Sequence, residues 1–292
     1  MGSGTWTATS FVNYTTATKG SYATVDSLGV LRTAATNQEM FKSRALDPAL
    51  DPKGVTRECL DSEEHPNTVP VILALDCTGS MGDAAVEVAK KLNVVMTDLY
   101  SKIKDVEFMI MGIGDFSYDQ CPLQVSQFES DIRIAEQLDK VYFEFGGGGN
   151  YYESYTAAWY FGVHHCKLDC WKRGKKGIII TMGDERLNPY LPKRGNYTTF
   201  KNCIGDDVQD NIETKDLYEE TIQKYDIYHL NVQHRGEYDQ EGIKSSWGQY
   251  LDSDHFKTVT MDSIAGEIVS IIENAVNNNS SNISVGTNGI SW

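Results

Sequence analysis

From residue 69 the chain alternates short apolar runs with longer amphipathic stretches. Residues 69–75 (VPVILAL) are apolar throughout and of strand length, which predicts a strand buried on both faces. Residues 83–103 follow, with Val86, Ala89, Leu92, Val95 or Met96, Leu99 and Ile103 spaced three or four apart, the signature of a helix with one buried face. Residues 106–112 (VEFMIMG), 176–181 (KGIIIT), 226–232 (DIYHLNV) and 256–260 (FKTVT) read as further strands, and 123–128 as a short edge strand. Helices are expected at 132–138, 153–165, 216–224 and 264–276. Strands alternating with helices imply an α/β fold with a mostly parallel, doubly wound sheet flanked by helices.

The segment before this pattern is different. Residues 1–66 are polar and rich in Thr, Ser and Tyr, with turn signals at Asp47-Pro48 and Asp51-Pro52. A short strand at 27–31 and a short helix at 37–44 are expected, in an extension laid against the domain without a core of its own. The Asn- and Ser-rich residues 277–292 read as a mobile tail. The expected organisation is therefore an extension (1–66), one domain (67–276) and a tail (277–292).

In doubly wound sheets ligands gather beyond the carboxyl ends of the strands. Three acids stand at such ends: Asp76, Asp115 after Gly112-Ile113-Gly114, and Asp184 after Thr181-Met182-Gly183. The first is the most specific. In Asp76-Cys77-Thr78-Gly79-Ser80 a carboxylate and two hydroxyls alternate between a buried strand and a helix start. Such oxygen ligands suit a hard divalent cation, Mg²⁺ above all. A plain helix cap by Thr78 or Ser80 is the competing account, and it leaves the strand-end carboxylate unexplained.

The run Leu75-Asp76-Cys77-Thr78-Gly79-Ser80-Met81 resembles the metal-ion-dependent adhesion site of von Willebrand factor A (VWA) domains, D-x-[ST]-x-S. The resemblance spans roughly residues 67–276. It implies a Rossmann-like fold, a site for Mg²⁺ or Mn²⁺ at the top of the sheet, and a protein partner that completes the coordination with an acidic side chain. The glycine run Gly146–Gly149, followed by Asn150 and Glu153, is similar to the VWA subgroup found beside alpha-kinases. The usual Thr-Asp-Gly of the third loop is absent: Met182 stands where its Asp would be, and Gly183-Asp184-Glu185 follows. The resemblance thus implies Asp76, Thr78, Ser80, Asn150 and Asp184 as metal ligands, with Glu153 as an orienting residue. Asn150 and Glu153 read equally well as an N-cap and N3 pair opening a helix. Asp115 rims the site or lies in a solvated acidic loop, Asp115-Phe116-Ser117-Tyr118-Asp119. An intracellular bacterial or phage type is expected, working as an adaptor or assembly factor, with an AAA+ ATPase as the implied partner.

Composition narrows the alternatives. Among 292 residues, 41 are acidic and 26 basic, a formal charge of -15 that argues against a nucleic-acid backbone as partner. Six dispersed cysteines suit reduced thiols and a cytoplasmic setting. No signal-peptide pattern opens the sequence, and no apolar run approaches the ~20 residues of a membrane span, so no membrane contact is expected. His164, His165, Cys166 and Cys170 lack zinc-ligand spacing and read as a helix end followed by buried thiols. No nucleophile elbow or phosphate-binding P-loop is present, so a non-enzymatic role is expected. The rivals are a metal-dependent hydrolase, with Glu153, Asp115 or His234 as its base, and a structural component of a phage particle or other large assembly.

Overall fold

The computed structural model describes residues 3–19, 23–33, 40–144, 149–233 and 239–281, apart from the side chains of Ser80 and of residues 279–281. Six strands form the central sheet: β1 (Val69–Asp76), β2 (Val106–Ile113), β3 (Leu123–Val125), β4 (Gly177–Gly183), β5 (Tyr225–Val232) and β6 (Phe256–Val259). Their spatial order is β3-β2-β1-β4-β5-β6, with every pair parallel except the antiparallel edge β2–β3. The chain leaves β1 toward β2 and β3, then crosses back over β1 to β4. That reversal opens a crevice at the carboxyl ends of β1 and β4.

Strand side chains alternate between the two faces. Val71, Leu73 and Leu75 of β1 join one apolar cluster, while Ile72 and Ala74 join the other. The first face is covered by α2 (Gly82–Lys102), α3 (Arg133–Leu138) and α7 (Ile264–Ser281), together with α1 (Ala8–Lys19) from the N-terminal segment. The second is covered by α4 (Thr156–His165), α5 (Thr214–Thr221) and α6 (Gln240–Trp247). Both faces of β1 are dry, which is why its sequence shows no polar alternation.

Residues before 67 are tied into this core. Trp6, Phe11, Leu31, Phe41 and Leu50 share one cluster with the buried residues of α2. The Trp6 indole donates to Asn93 Oδ1 at 3.0 Å, and Asn93 Nδ2 donates to the Gly29 carbonyl at 3.1 Å. A buried Asn inside α2 is thereby satisfied from outside its own helix.

The expected boundaries shift in places. Helix α1 falls within a Thr-rich stretch with little apolar periodicity; Phe11 docks beside Trp6, and the Thr7 hydroxyl accepts the Ser10 N–H at 3.0 Å. The expected strand at 27–31 is instead mostly a turn closed by Asp26, which accepts the Leu28 and Val30 N–H groups, with Gly29 at φ 81°. Most of the expected helix at 37–44 lies outside the described residues. Helix α7 continues past Val276 to Ser281, into the stretch expected to be a mobile tail, because it needs no further buried face to propagate through Asn277. No described helix is long and apolar enough to cross a membrane.

Candidate functional site

Asp76 ends β1, and the following Cys77 N–H donates to the Ile113 carbonyl at 2.7 Å, which extends the β1–β2 ladder by one step. The chain then turns through a single 3₁₀ turn, Gly79–Met81, before α2 begins. This turn folds Thr78 back onto Asp76. The Thr78 N–H and Oγ1 both donate to Asp76 Oδ1, at 2.9 and 2.6 Å. The Thr78 hydroxyl makes no cap bond to the helix, so the capping account fails for it. Ser80 follows in the same turn, with its side chain outside the described set.

The other carboxylate oxygen is held from across the site. Tyr155 Oη donates to Asp76 Oδ2 at 2.9 Å, and Asp76 is fully buried. The Tyr155 ring is backed by His229 and Trp247, with centroids 5.1 and 5.3 Å away. His229 lies flat on Trp247 at 3.7 Å and shares a hydrogen bond with Thr181 Oγ1 at 2.9 Å; burial holds its imidazole well below its ordinary pKa, hence neutral. Tyr155 Oη also lies over Gly183, the last residue of β4, and accepts a long bond (3.4 Å) from the Glu185 N–H. One hydroxyl therefore joins the first loop to the third.

The second loop is built differently from the sequence expectation. Tyr152–Glu153 is extended and pairs in parallel with Arg186–Leu187, so α4 starts only at Thr156. Asn150 is therefore no N-cap and Glu153 no N3 residue. Asn150 Nδ2 donates to Asp115 Oδ2 at 2.8 Å, and its amide oxygen accepts the Tyr152 N–H at 3.2 Å. Asp115 is no solvated loop residue: it is 3% exposed, accepts the Ser117 N–H at 2.7 Å, and its own N–H donates to Asp119 Oδ2 at 2.6 Å. A loop that must recross the strand ends beside Gly114 buries its acid against its own backbone donors. Residues 145–148, with most of the glycine run, lie outside the described residues, as does His234.

Among the described residues these loops gather more acids than bases. Burial, then the Asp184 carboxylate, pushes Asp76 up to about 7. Burial, then Asp76, Asp119 and Asp115, holds Glu153 well above the usual range, and its Oε2 is buried with no partner among the described residues. Burial, reinforced by Asp184, raises Glu185 to about 7, and burial lifts Asp119 to about 6. Of the main influences on these four groups, only Arg186 beside Glu185 supplies positive charge. Among the described residues no three His, Cys, Asp or Glu side chains form a ready-made metal ligand set. A site made of one strand-end carboxylate with hydroxyls and water would not need one. The donors present (carboxylate, hydroxyl and amide oxygens, with a buried Glu153 oxygen beside them that has no partner among the described residues) fit a hard cation and no soft one.

Raised carboxyl pKa values give a pH prediction. Without a cation the folded chain binds protons that the unfolded chain, with carboxyls near 3.8, has already released. Stability therefore falls as pH rises from about 4 to about 7. Melting in chelator is expected to show this decline, and saturating Mg²⁺ to flatten it; a metal-free chain whose melting temperature rises through that window contradicts the carboxylate cluster. The lowered acids, such as Asp26, Asp206 and Asp252, lose their contribution only below their ordinary 3.8, outside this window.

The His164–Cys170 segment makes no zinc centre. His164 faces Glu220 at 3.2 Å, His165 bridges the Val55 carbonyl and Asp206, and Cys166 and Cys170 are buried among core side chains. Tyr155 and Gly183 are the two residues of the candidate site that the sequence did not single out. Tyr155 lay unremarked in an aromatic stretch, and only its position opposite Gly183 gives it meaning.

With this geometry in view, solved structures provide a comparison. The pilus adhesin SpaC from Lactobacillus rhamnosus GG is similar over 78% of this chain at 14% identity with a TM-score of 0.51, and this chain spans about a third (32%) of that protein's length. The likeness shows the fold alone, a mixed α/β domain with a central, mostly parallel sheet flanked by helices. A more distant match, the vWF domain of the type V pili tip protein Mfa5 from Porphyromonas gingivalis, covers 77% of this chain and 98% of that domain at 13% identity with a TM-score of 0.41. No family model matches the sequence, and no curated protein matches it. Asp76, Asp115 and Asp184 converge because each follows a strand, β1, β2 or β4, that ends on the same edge of the sheet.

Proposed function

We propose that this VWA-fold chain is a divalent-cation-dependent protein-interaction module. The carrying observation is the crevice at the ends of β1 and β4, where Asp76, held by Thr78 and Tyr155, stands with Asp184, Glu153 and Asp115 and, among the described residues, little compensating base. Asp76, Thr78 and Ser80 would hold Mg²⁺ or Mn²⁺, with Asp184 and Asn150 completing the set directly or through water. The bound cation would supply local positive charge that attracts an acidic side chain of a partner, against the repulsion of a -15 chain. Asn150 orients Asp115, and Tyr155 orients Asp76. The named adhesin among the structural neighbours supports a binding role. An intracellular adaptor or assembly factor with an AAA+ ATPase partner remains our reading of the resemblance to intracellular VWA proteins, and six unbridged thiols support a reducing, cytoplasmic setting.

One observation favours the hydrolase reading: Glu153 keeps a buried, unpartnered oxygen beside Asp76. Two measurements separate the readings. Affinity capture with the full chain is expected to retain its partner in Mg²⁺ and lose it in chelator; equal capture in both rules out the cation-dependent module. Turnover of a phosphoester panel that disappears in Asp76→Ala and in Glu153→Gln establishes the hydrolase instead. Capture lost only on removal of residues 1–66 or 277–292 places the contacts of a structural component there.

A further inference from the structure

At the edge of the sheet opposite Asp76, the amino ends of β1 and β4 meet the turn after α2 around a cavity of about 280 Å³. Val69, Ile178 and Val276 give it an apolar floor. Its rim is basic. The sequence run Lys172-Arg173-Gly174-Lys175-Lys176, which leads into β4, meets Lys104 across the opening.

These charges are not all neutralised from within the chain. Arg173 is held by Asp61 and donates to the Thr68 carbonyl at 2.7 Å, and Lys176 faces Asp226 at 3.4 Å. Lys104 and Lys175 have no acidic partner among the described residues. Asp105, the one acid among the cavity's described lining, accepts the Asn67 N–H on Oδ2 at 3.2 Å and faces His65 through Oδ1 at 3.5 Å, so a single carboxylate stands in the lining against Lys104, Arg173, Lys175 and Lys176. In a chain where acids outnumber bases 41 to 26, a lining with four basic residues and one acidic one is a local excess of positive charge beside an apolar floor. The low-dielectric floor strengthens their pull on an anion that also fills it.

We propose that this cavity binds a small organic carboxylate. Its apolar body, aliphatic or aromatic, packs on Val69, Ile178 and Val276, and its carboxylate meets Lys104 and Lys175. The volume lies just below the ~300–1,000 Å³ range of small-molecule sites, which limits the ligand to a medium-chain or single-ring acid. An inorganic anion would use the lysines and leave the floor unfilled.

Calorimetry on the full chain tests this with three probes: decanoate, decanol and inorganic phosphate. Decanoate is expected to bind one to one. Decanol, with the same chain and no charge, and Lys104→Gln/Lys175→Gln with decanoate are each expected to bind at least about tenfold more weakly. Lys104→Arg/Lys175→Arg is expected to restore the affinity, and chelator to leave it unchanged, since the cavity lies at the far edge from Asp76. The exposed and half-buried positions of these lysines let the variants keep the wild-type melting transition, which is measured alongside. The proposal is overturned by absence of decanoate binding at ~1 mM, by equal binding to the Gln variant, or by phosphate binding as tightly as decanoate.

Discussion

Asp76→Asn is expected to abolish the stabilisation that Mg²⁺ gives the chain. In the wild type, Mg²⁺ at 100 times its dissociation constant should add about 2.7 kcal/mol. For a domain of this size that corresponds to about 5–10 °C in melting temperature. Asparagine keeps the shape and the hydrogen bonds: its oxygen still accepts from Thr78, and its amide can donate to Tyr155. It loses only the charge. Because the Asp76 carboxylate is fully buried and pushed up to about 7 by burial and by Asp184, removing that charge also relieves the metal-free state. The chelated variant should therefore melt at or above chelated wild type at pH 8. Scanning calorimetry with and without Mg²⁺ decides the matter. A full Mg²⁺ response in Asp76→Asn would move the cation away from the strand end.

Gly183→Ala is expected to lower stability by about 3 kcal/mol, at the upper end of overpacking costs. That is about 6–12 °C in melting temperature. A Cβ at this position would overlap Tyr155 Oη, and Tyr155 cannot retreat because His229 and Trp247 stack behind it. The same methyl group would drive the hydroxyl off Asp76, so Mg²⁺ affinity should fall together with stability. Tyr155→Phe in the same chain removes the oxygen but not the ring carbon beneath it, so it should recover only part of the loss. Thermal melts and Mg²⁺ titrations of the single and double variants measure both effects. A Gly183→Ala chain that melts with the wild type would show that the Tyr155 hydroxyl is not confined by β4.

Much of the sheet was legible because its strands are dry on both faces. Runs such as 69–75 and 176–181 need no partner to be recognised, and their observed ends move by only one or two residues. The helix through Leu92 and Leu99 was legible for a different local reason, an apolar spacing of three or four that marks one buried face. Segments whose order depends on distant partners were not legible. Helix α1 is Thr-rich and ordered by Trp6 and Phe11 against α2. The pair Tyr152–Glu153 and Arg186–Leu187 joins residues more than thirty positions apart, and it moved the start of α4 past Glu153.

The site divides along the same line. The sequence by itself determined that a carboxylate and two hydroxyls stand at the tip of a buried strand, because strand length, residue type and alternate spacing are all local properties. It also placed Asp115 and Asp184 at strand ends, since each follows an apolar run. Only the tertiary structure decided what these acids face. The crossing from β3 back to β4 set Asp184 beside Asp76, the short parallel pair turned Glu153 inward, and Tyr155 reached Asp76 because Gly183 left it room. Burial and the scarcity of basic side chains among the described neighbours of these acids are long-range properties of packing that local spacing could not show, and the proposed cation site rests on them.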